Sequence, residues 1–386
     1  MQLVADITAA GRKAQVTVLA TVVALAAAVL LAAAIEPGDL RMGLLFVIGT
    51  ALGATLLWAV FGFGSAYRHL LTRGGDTSGV RAQVLMLALA TVLFAPFLAA
   101  GSIFGNPVGG AVAPVSLGVA SGAFIFGIGM QLAGGCASGT LFTVGGGSLR
   151  MVCTLIAFCA GTLLSSLHFA WWAALPSLGI IELPDTLGWT GGTLLQLAVL
   201  AVLWIVLDRR SAPSAGQTPQ EAARRRRLWL AGAIALAILN FAVLATAGHP
   251  WGITWGYTLW AGKTATALGW DASAHPFWQG GAGLALTESV FKDVTSVMNF
   301  GILLGACMGA AAVGRFQFQW RYPLRAWVSA LIGGLLMGYG ARIAYGCNVG
   351  AFFSGVASQS LHGWLWIAAA LPGCAVGIRL NRHFKL

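Results

Sequence analysis

The sequence predicts an all-α polytopic membrane protein of about ten spans, arranged as two inverted five-helix repeats with short re-entrant or broken helices. Three observations lead there: a composition too apolar for water, ten apolar runs, and a Gly-Cys segment written twice. Of 386 residues, 58% are hydrophobic and only 9% charged. Soluble domains carry about a quarter charged residues. Apolar runs fall at 15–35, 42–61, 81–104, 112–134, 150–173, 190–207, 228–248, 294–313, 324–345 and 361–379. A run of about 20 residues crosses about 30 Å of hydrocarbon as a helix. The first run is too long for a signal peptide and lacks a small-residue cleavage site, so it reads as a span.

The net charge of +11 would imply nucleic acid in a soluble protein, but here the basic residues collect between spans. Arg12 and Lys13 precede the first span, and Arg68, Arg73 and Arg81 bracket the loop after the second. Arg150 opens the fifth. Asp208 to Arg227, with four consecutive arginines, joins the sixth to the seventh. Arg315, Arg321 and Arg325 follow the eighth, and Arg379, Arg382 and Lys385 close the chain. Ten spans put every basic cluster on one side, with both termini cytoplasmic. The arginine-rich loop reads as a topology signal and a contact for lipid headgroups. No nucleic-acid partner is expected.

The repeat is visible without a gap. Gly122 to Phe142 reads GAFIFGIGMQLAGGCASGTLF, and Gly333 to Phe353 reads GGLLMGYGARIAYGCNVGAFF. Cys136 pairs with Cys347, Phe142 with Phe353, Gly135 with Gly346 and Gly139 with Gly350. The same offset lays the third to fifth spans over the eighth to tenth. The halves, 1–175 and 176–386, then run in opposite senses, an arrangement that builds a site near the bilayer midplane. Gly127, Gly129, Gly338 and Gly340 read as helix-packing glycines. Gly134, Gly135 and Gly346 allow a turn before each cysteine, and a helix restarting there aims N–H groups at an anion. The small residues Ala137, Ser138 and Asn348 leave the approach open.

A thiol is a weak donor with a soft, polarizable sulfur. It suits a sulfur or selenium atom in an anion, and its weak hold permits release. A hard oxyanion would call for arginine forks. Arg342 and Lys263 are the basic residues within apolar sequence and are substrate-site candidates, because an intramembrane base is functional by default. Cys153, Cys159, Cys307 and Cys374 read as small hydrophobes. Trp251, Trp255, Tyr257 and Trp260 read as an interfacial aromatic belt. The six cysteines have neither disulfide nor zinc spacing, and no metal, cofactor or catalytic residue is expected.

The paired Gly-Cys segments, FGFGSAYRHLL (Phe61 to Leu71) and GHPWGITWGYTLWAGK (Gly248 to Lys263) resemble the YeeE/YedE sulfur-transport family. The resemblance implies a bacterial inner-membrane permease, not an enzyme, taking up thiosulfate for sulfur assimilation. It also implies that Cys136 and Cys347 relay the anion through weak S–H contacts. Gly62 stands where the family usually carries a third cysteine, which leaves a related sulfur or selenium species open as substrate. A thiol is expected to be tolerated at that glycine and a branched leucine side chain to fill the path. Its counterpart in the second half is Gly252, in Trp251-Gly252. Two other classes stay open on the residues: a membrane thiol or persulfide enzyme, and a subunit docking a soluble sulfurtransferase or sulfur-carrier protein.

Overall fold

A computed structural model describes residues 2–35, 39–72, 76–210 and 218–383. Arg73, Lys385, the centre of the arginine-rich loop (211–217) and the side chains of Arg12 and Lys13 lie outside the described residues. The first half comprises α1 (Gln2–Ile35), α2 (Leu40–Ala59), α3 (Phe63–Leu71), α4 (Ser78–Ala100), α5 (Leu117–Ala133), α6 (Ala137–Gly145) and α7 (Leu149–Ala173). The second comprises α8 (Leu183–Arg209), α9 (Pro219–Ala247), α10 (Thr254–Ala267), α11 (Gly281–Thr287), α12 (Val294–Ala312) and α13 (Leu324–Ile343). A π-helical turn, Asn348–Phe353, then runs into α14 (Ser354–Ala357), and α15 (Leu361–His383) ends the fold. Among the described residues ten stretches are long and apolar enough to cross a membrane, one for each expected run.

Their ends follow local chemistry. The third span stops at Ala100 because Gly101 takes a left-handed φ of 68° and caps α4. The chain then forms β1 (Ser102–Ile103), β2 (Asn106–Pro107) and β3 (Pro114–Ser116). The fourth span therefore begins at Leu117, not at 112, with the Ser116 hydroxyl accepting from the Val119 amide. β3 pairs antiparallel with β4 (Ser177–Ile180), which closes that end of α5 over that of α7. The sixth span starts earlier than expected, at Leu183, because a Glu182–Asp185 capping box nucleates α8 before a kink at Gly188.

At the opposite end, Arg81 pairs with Asp208 at 2.5 Å, and Arg225 pairs with Asp76. These bridges tie the start of α4 to the end of α8 and the start of α9. Arg150 donates to Ala326 O (3.1 Å) and Leu132 O (3.3 Å), closing the C-terminal end of α5. Two further ion pairs among the described residues, Arg41–Asp39 and Lys292–Glu288, lie in other loops.

At the centre, α5 and α13 cross antiparallel with their backbones in near contact. A Cβ at Gly129 would lie 2.6 Å from Gly333 O, and one at Gly122 would lie 2.7 Å from Gly340 O. A Cβ at Gly127 would lie 2.9 Å from Cys374 N on α15, and one at Gly338 would meet the Phe158 backbone of α7. These glycines are there because any side chain would separate the helices, the packing role expected of them.

The contacts obey a simple exchange. α2 packs on α12 as α9 does on α4, and α13 packs on α7 as α5 does on α15. α3 touches α15 as α10 touches α7, and α6 touches α12 as α14 touches α4. α1 lies against α12, and α8 lies against α4, each largely exposed. Swapping the halves converts every one of these pairs into another.

Candidate functional site

Both Gly-Cys segments are breaks between helices. α5 ends at Gly134, whose φ of 82° belongs to the left-handed region. Cys136 comes next but one, in extended conformation, as the N-cap of α6. Its sulfur accepts from the Gly139 amide at 3.4 Å and lies 3.3 Å from the Ser138 hydroxyl. A thiol here occupies the place usually taken by a serine or aspartate oxygen. The Cys136 carbonyl accepts from both the amide (2.8 Å) and the hydroxyl (2.9 Å) of Thr140.

The second break is built differently. Tyr345 (φ 57°) and Gly346 (φ 154°) turn the chain, and a Cβ on Gly346 would lie 2.7 Å from Ala351 N. Gly346 is therefore required both by its conformation and by the close approach of the next turn. Its carbonyl accepts from the Trp366 indole at 3.2 Å. Cys347 again takes the extended N-cap position. Its sulfur faces the Val349 and Gly350 amides without closing a capping hydrogen bond. Beyond Cys347 the chain winds as a π-helical turn rather than an α-helix, a form frequent at functional sites.

The two cysteines are fully buried and close enough that a charge on one would act on the other. Ala137, Ser138 and Asn348 are equally buried beside them. The structure therefore brings together Gly135, Cys136, Ala137 and Ser138 from one half with Gly346, Cys347 and Asn348 from the other. Gly62 is the N-cap of α3, and a Cβ there would meet only Ser65 of its own turn within 4 Å. Its φ of −110° and ψ of 117° are open to any residue. At Gly252 a Cβ would meet nothing within 4 Å. Gly252 in turn approaches the second break, its Cα 3.8 Å from a Cβ built on Gly350.

The basic candidates part company. Lys263 lies six residues beyond Tyr257, and its ammonium donates to Leu286 O at 2.8 Å and to Glu288 O, capping the end of α11. Arg342 lies over the Phe169 and Phe277 rings, 5.7 and 5.2 Å from their centres, and its Nε is buried without a partner among the described residues. The first half has Gln131 at that register, holding Arg68 through its Oε1 (3.0 Å) and its carbonyl (2.8 Å). The first break thus has two arginines beside it, Arg68 and Arg150, and the second has Arg342.

The aromatic-belt reading is overturned. Trp251 and Tyr257 are fully buried, and the indoles of Trp255 and Trp260 bond to Asp293 and Ser296, both at 2.9 Å. Tyr257 donates its hydroxyl to Ala137 O at 3.0 Å. Its counterpart Tyr67 faces Asn348 instead, without reaching hydrogen-bond geometry. Sequence reasoning misses these tyrosines, although they share a register: Phe61-Gly62 and Trp251-Gly252 each precede a tyrosine by five residues from the glycine. Cys307 and Cys374 are buried and Cys153 and Cys159 half-buried, all four free. No group of three metal-ligating side chains occurs among the described residues.

The apolar helices and the two breaks inside them define a multi-pass membrane protein. The family model described as Sulphur transport matches residues 58–376, and the chain belongs to that family. It is similar to a thiosulfate transporter, TsuA, of Spirochaeta thermophila, at 30% identity over 345 residues, 83% of this chain and 92% of that protein. TsuA of Escherichia coli is 25% identical over 268 residues, 67% of this chain and 72% of its own length. A probable transporter of the same organism, YedE, is 32% identical over 151 residues, 38% of this chain and 36% of its own. The protein is a sulfur transporter and not an enzyme.

Proposed function

We propose that the protein carries thiosulfate, or a closely related sulfur-containing anion, through the constriction between Cys136 and Cys347. The observation that carries this reading is the burial of two cysteines within electrostatic reach of one another, each at the position where the chain rewinds after a break inside the fold. The name of the relative that aligns along 92% of its length supports the substrate.

The chemistry rests on softness and weak contact. Thiosulfate has a terminal sulfur that a neutral S–H can approach, whereas a thiolate would repel the dianion. A thiol holds such an atom weakly, so the anion passes from one cysteine to the next without a deep trap. The N–H groups of the first turn of α6 add a positive potential where the anion sheds water. Ala137 and Ser138 keep the first approach narrow but open, and Gly135 and Gly346 let the backbone turn beside the path.

In this reading the halves 1–175 and 176–386 are inverted repeats, the membrane is the bacterial cytoplasmic one, and both termini are cytoplasmic. Gly62 stands near the cytoplasmic mouth, where water or backbone amides serve in place of a third thiol. A selenium analogue is the second reading, favoured by that glycine. A soluble sulfurtransferase or sulfur carrier would then take the anion at the basic face.

Uptake of labelled thiosulfate into proteoliposomes tests this, with sulfate and selenite as competitors. Wild type should accumulate thiosulfate, selenite should compete better than sulfate, and the Cys136→Ala, Cys347→Ala double variant should be inactive. Near-normal uptake by the double variant at equal abundance would remove the thiol relay.

A further inference from the structure

Tyr67 and Asn348 present polar atoms that the fold leaves unused. Tyr67 is 1% exposed and Asn348 is 0% exposed. Among the described residues the Tyr67 hydroxyl, the Asn348 Nδ2 and the Asn348 Oδ1 have no hydrogen-bond partner. Burying one such group unpaired costs about 1–3 kcal/mol, and here three are gathered at one place. Asn348 directly follows Cys347, and Tyr67 lies within electrostatic reach of Cys136. The orphaned groups therefore border both thiols.

The other half shows what a purely structural version looks like. Tyr257, at the corresponding register, gives its proton to Ala137 O at 3.0 Å. Ala137 is the residue that aligns with Asn348, so the first half has a methyl where the second has a carboxamide. One tyrosine is satisfied by backbone and faces an apolar side chain. Its twin is unsatisfied and faces an amide.

We propose, on the reading that the substrate is a sulfur oxyanion, that Tyr67 and Asn348 are specificity-determining residues that bind its oxygen end. The Asn348 N–H and the Tyr67 O–H donate to the sulfonate oxygens while Cys136 and Cys347 face the terminal sulfur. The two ends of the anion are read by different chemistry. Sulfate satisfies the donors but not the thiols, and hydrosulfide satisfies the thiols but leaves the donors unpaired. A site built to pair buried donors rejects a ligand lacking the matching acceptor. Neutral donors serve here because an arginine fork would hold a dianion too firmly for release.

The test measures thiosulfate uptake in proteoliposomes and thiosulfate protection against thermal unfolding in detergent, for wild type, Tyr67→Phe, Asn348→Asp and Cys136→Ala. Tyr67→Phe removes one oxygen and is the variant least able to disturb the fold. Asn348→Asp keeps size and replaces the donor by an acceptor. A hydrogen bond to a charged group contributes about 1.5–3 kcal/mol, so the KM of Tyr67→Phe should rise about tenfold or more. Its maximal rate should change far less, and thermal protection should need correspondingly more thiosulfate. Asn348→Asp should neither bind nor transport. KM values within twofold of wild type in both variants, with Cys136→Ala still inactive, would overturn this inference and leave the proposed function standing. Absence of thiosulfate uptake by wild type itself would overturn both.

Discussion

The Tyr257 hydroxyl donates to the carbonyl oxygen of Ala137 at 3.0 Å, joining α10 of one half to the first residue of α6 in the other. The carbonyl belongs to the residue after Cys136, so this bond fixes the rim on which the thiol stands. Phe158 packs edge-on to the Tyr257 ring at 4.9 Å and holds it from behind. Tyr257→Phe would keep the ring and remove one of the two hydrogen bonds to that carbonyl, which as the first of α6 also accepts within the helix, at a cost of about 0.5–1.5 kcal/mol. The expected result is a lower unfolding temperature in detergent, with a KM for thiosulfate close to wild type. An unchanged unfolding temperature would show that the bond does not hold the rim.

Serine at the two cysteines separates donor geometry from softness. Ser is a stronger donor and close in size, but it lacks a polarizable sulfur. At Cys136 an oxygen would also make a better N-cap toward the Gly139 amide, so the fold should not suffer. Cys136→Ser and Cys347→Ser should reach the membrane normally and lose most thiosulfate uptake, nearly as fully as the alanine variants. Full uptake by the serine variants would mean that any small donor suffices. Cys159→Ala should keep most activity.

Much of this fold was legible because membranes restrict what sequence can do: ten apolar runs became ten candidate spans. The breaks at Gly134 and Gly346 were legible for the same reason, since glycine beside a duplicated cysteine has few other uses. Tyr257 was not legible, because an aromatic cluster near an apolar run looks like an interfacial belt until the chain is folded, and Tyr67 is the lone tyrosine of its stretch with nothing in the sequence to mark it. Lys263 misled in the opposite direction. Its charge stands out in sequence, yet carbonyls at the end of α11 occupy it. The π-helical turn after Cys347 had no sequence signal, as it depends on the close approach of Gly346 to Ala351.

Packing glycines and path glycines should respond differently to one methyl. Gly129→Ala places a Cβ 2.6 Å from Gly333 O and 2.7 Å from Met337 N, both backbone atoms that cannot yield without moving α13. Membrane abundance of Gly129→Ala should fall severalfold, in line with the ~1–3 kcal/mol of overpacking. Gly252→Ala meets nothing within 4 Å and should accumulate normally. Equal abundance of both variants would show that the α5–α13 crossing is looser than the backbone contacts imply.

Topology can be tested across α8. Its 27 residues span about 40 Å at 1.5 Å per residue, so its two ends should lie on opposite faces. A tag inserted between Leu178 and Gly179, in the exposed strand β4, should label from the periplasm. A tag at Ser214 should label only after the membrane is opened. Labelling of both from one side would end the inverted-repeat assignment and the cytoplasmic placement of the termini.

Gly62 offers the test of how this chain departs from relatives carrying a third thiol. Its backbone angles suit any residue, and the only close neighbour of a new Cβ is the Ser65 hydroxyl at 2.6 Å. That hydroxyl donates to Gly62 O at 2.9 Å and can rotate away, so the clash is with the mobile end of a small side chain. Gly62→Cys should therefore fold, and thiosulfate uptake should be kept or raised if the position lines the path. Gly62→Leu should fold as well, since no backbone strain opposes it, but its branched side chain would fill the approach and block uptake. The comparison is made at equal membrane abundance. Wild-type uptake by Gly62→Leu would place the path elsewhere and remove Gly62 from the site.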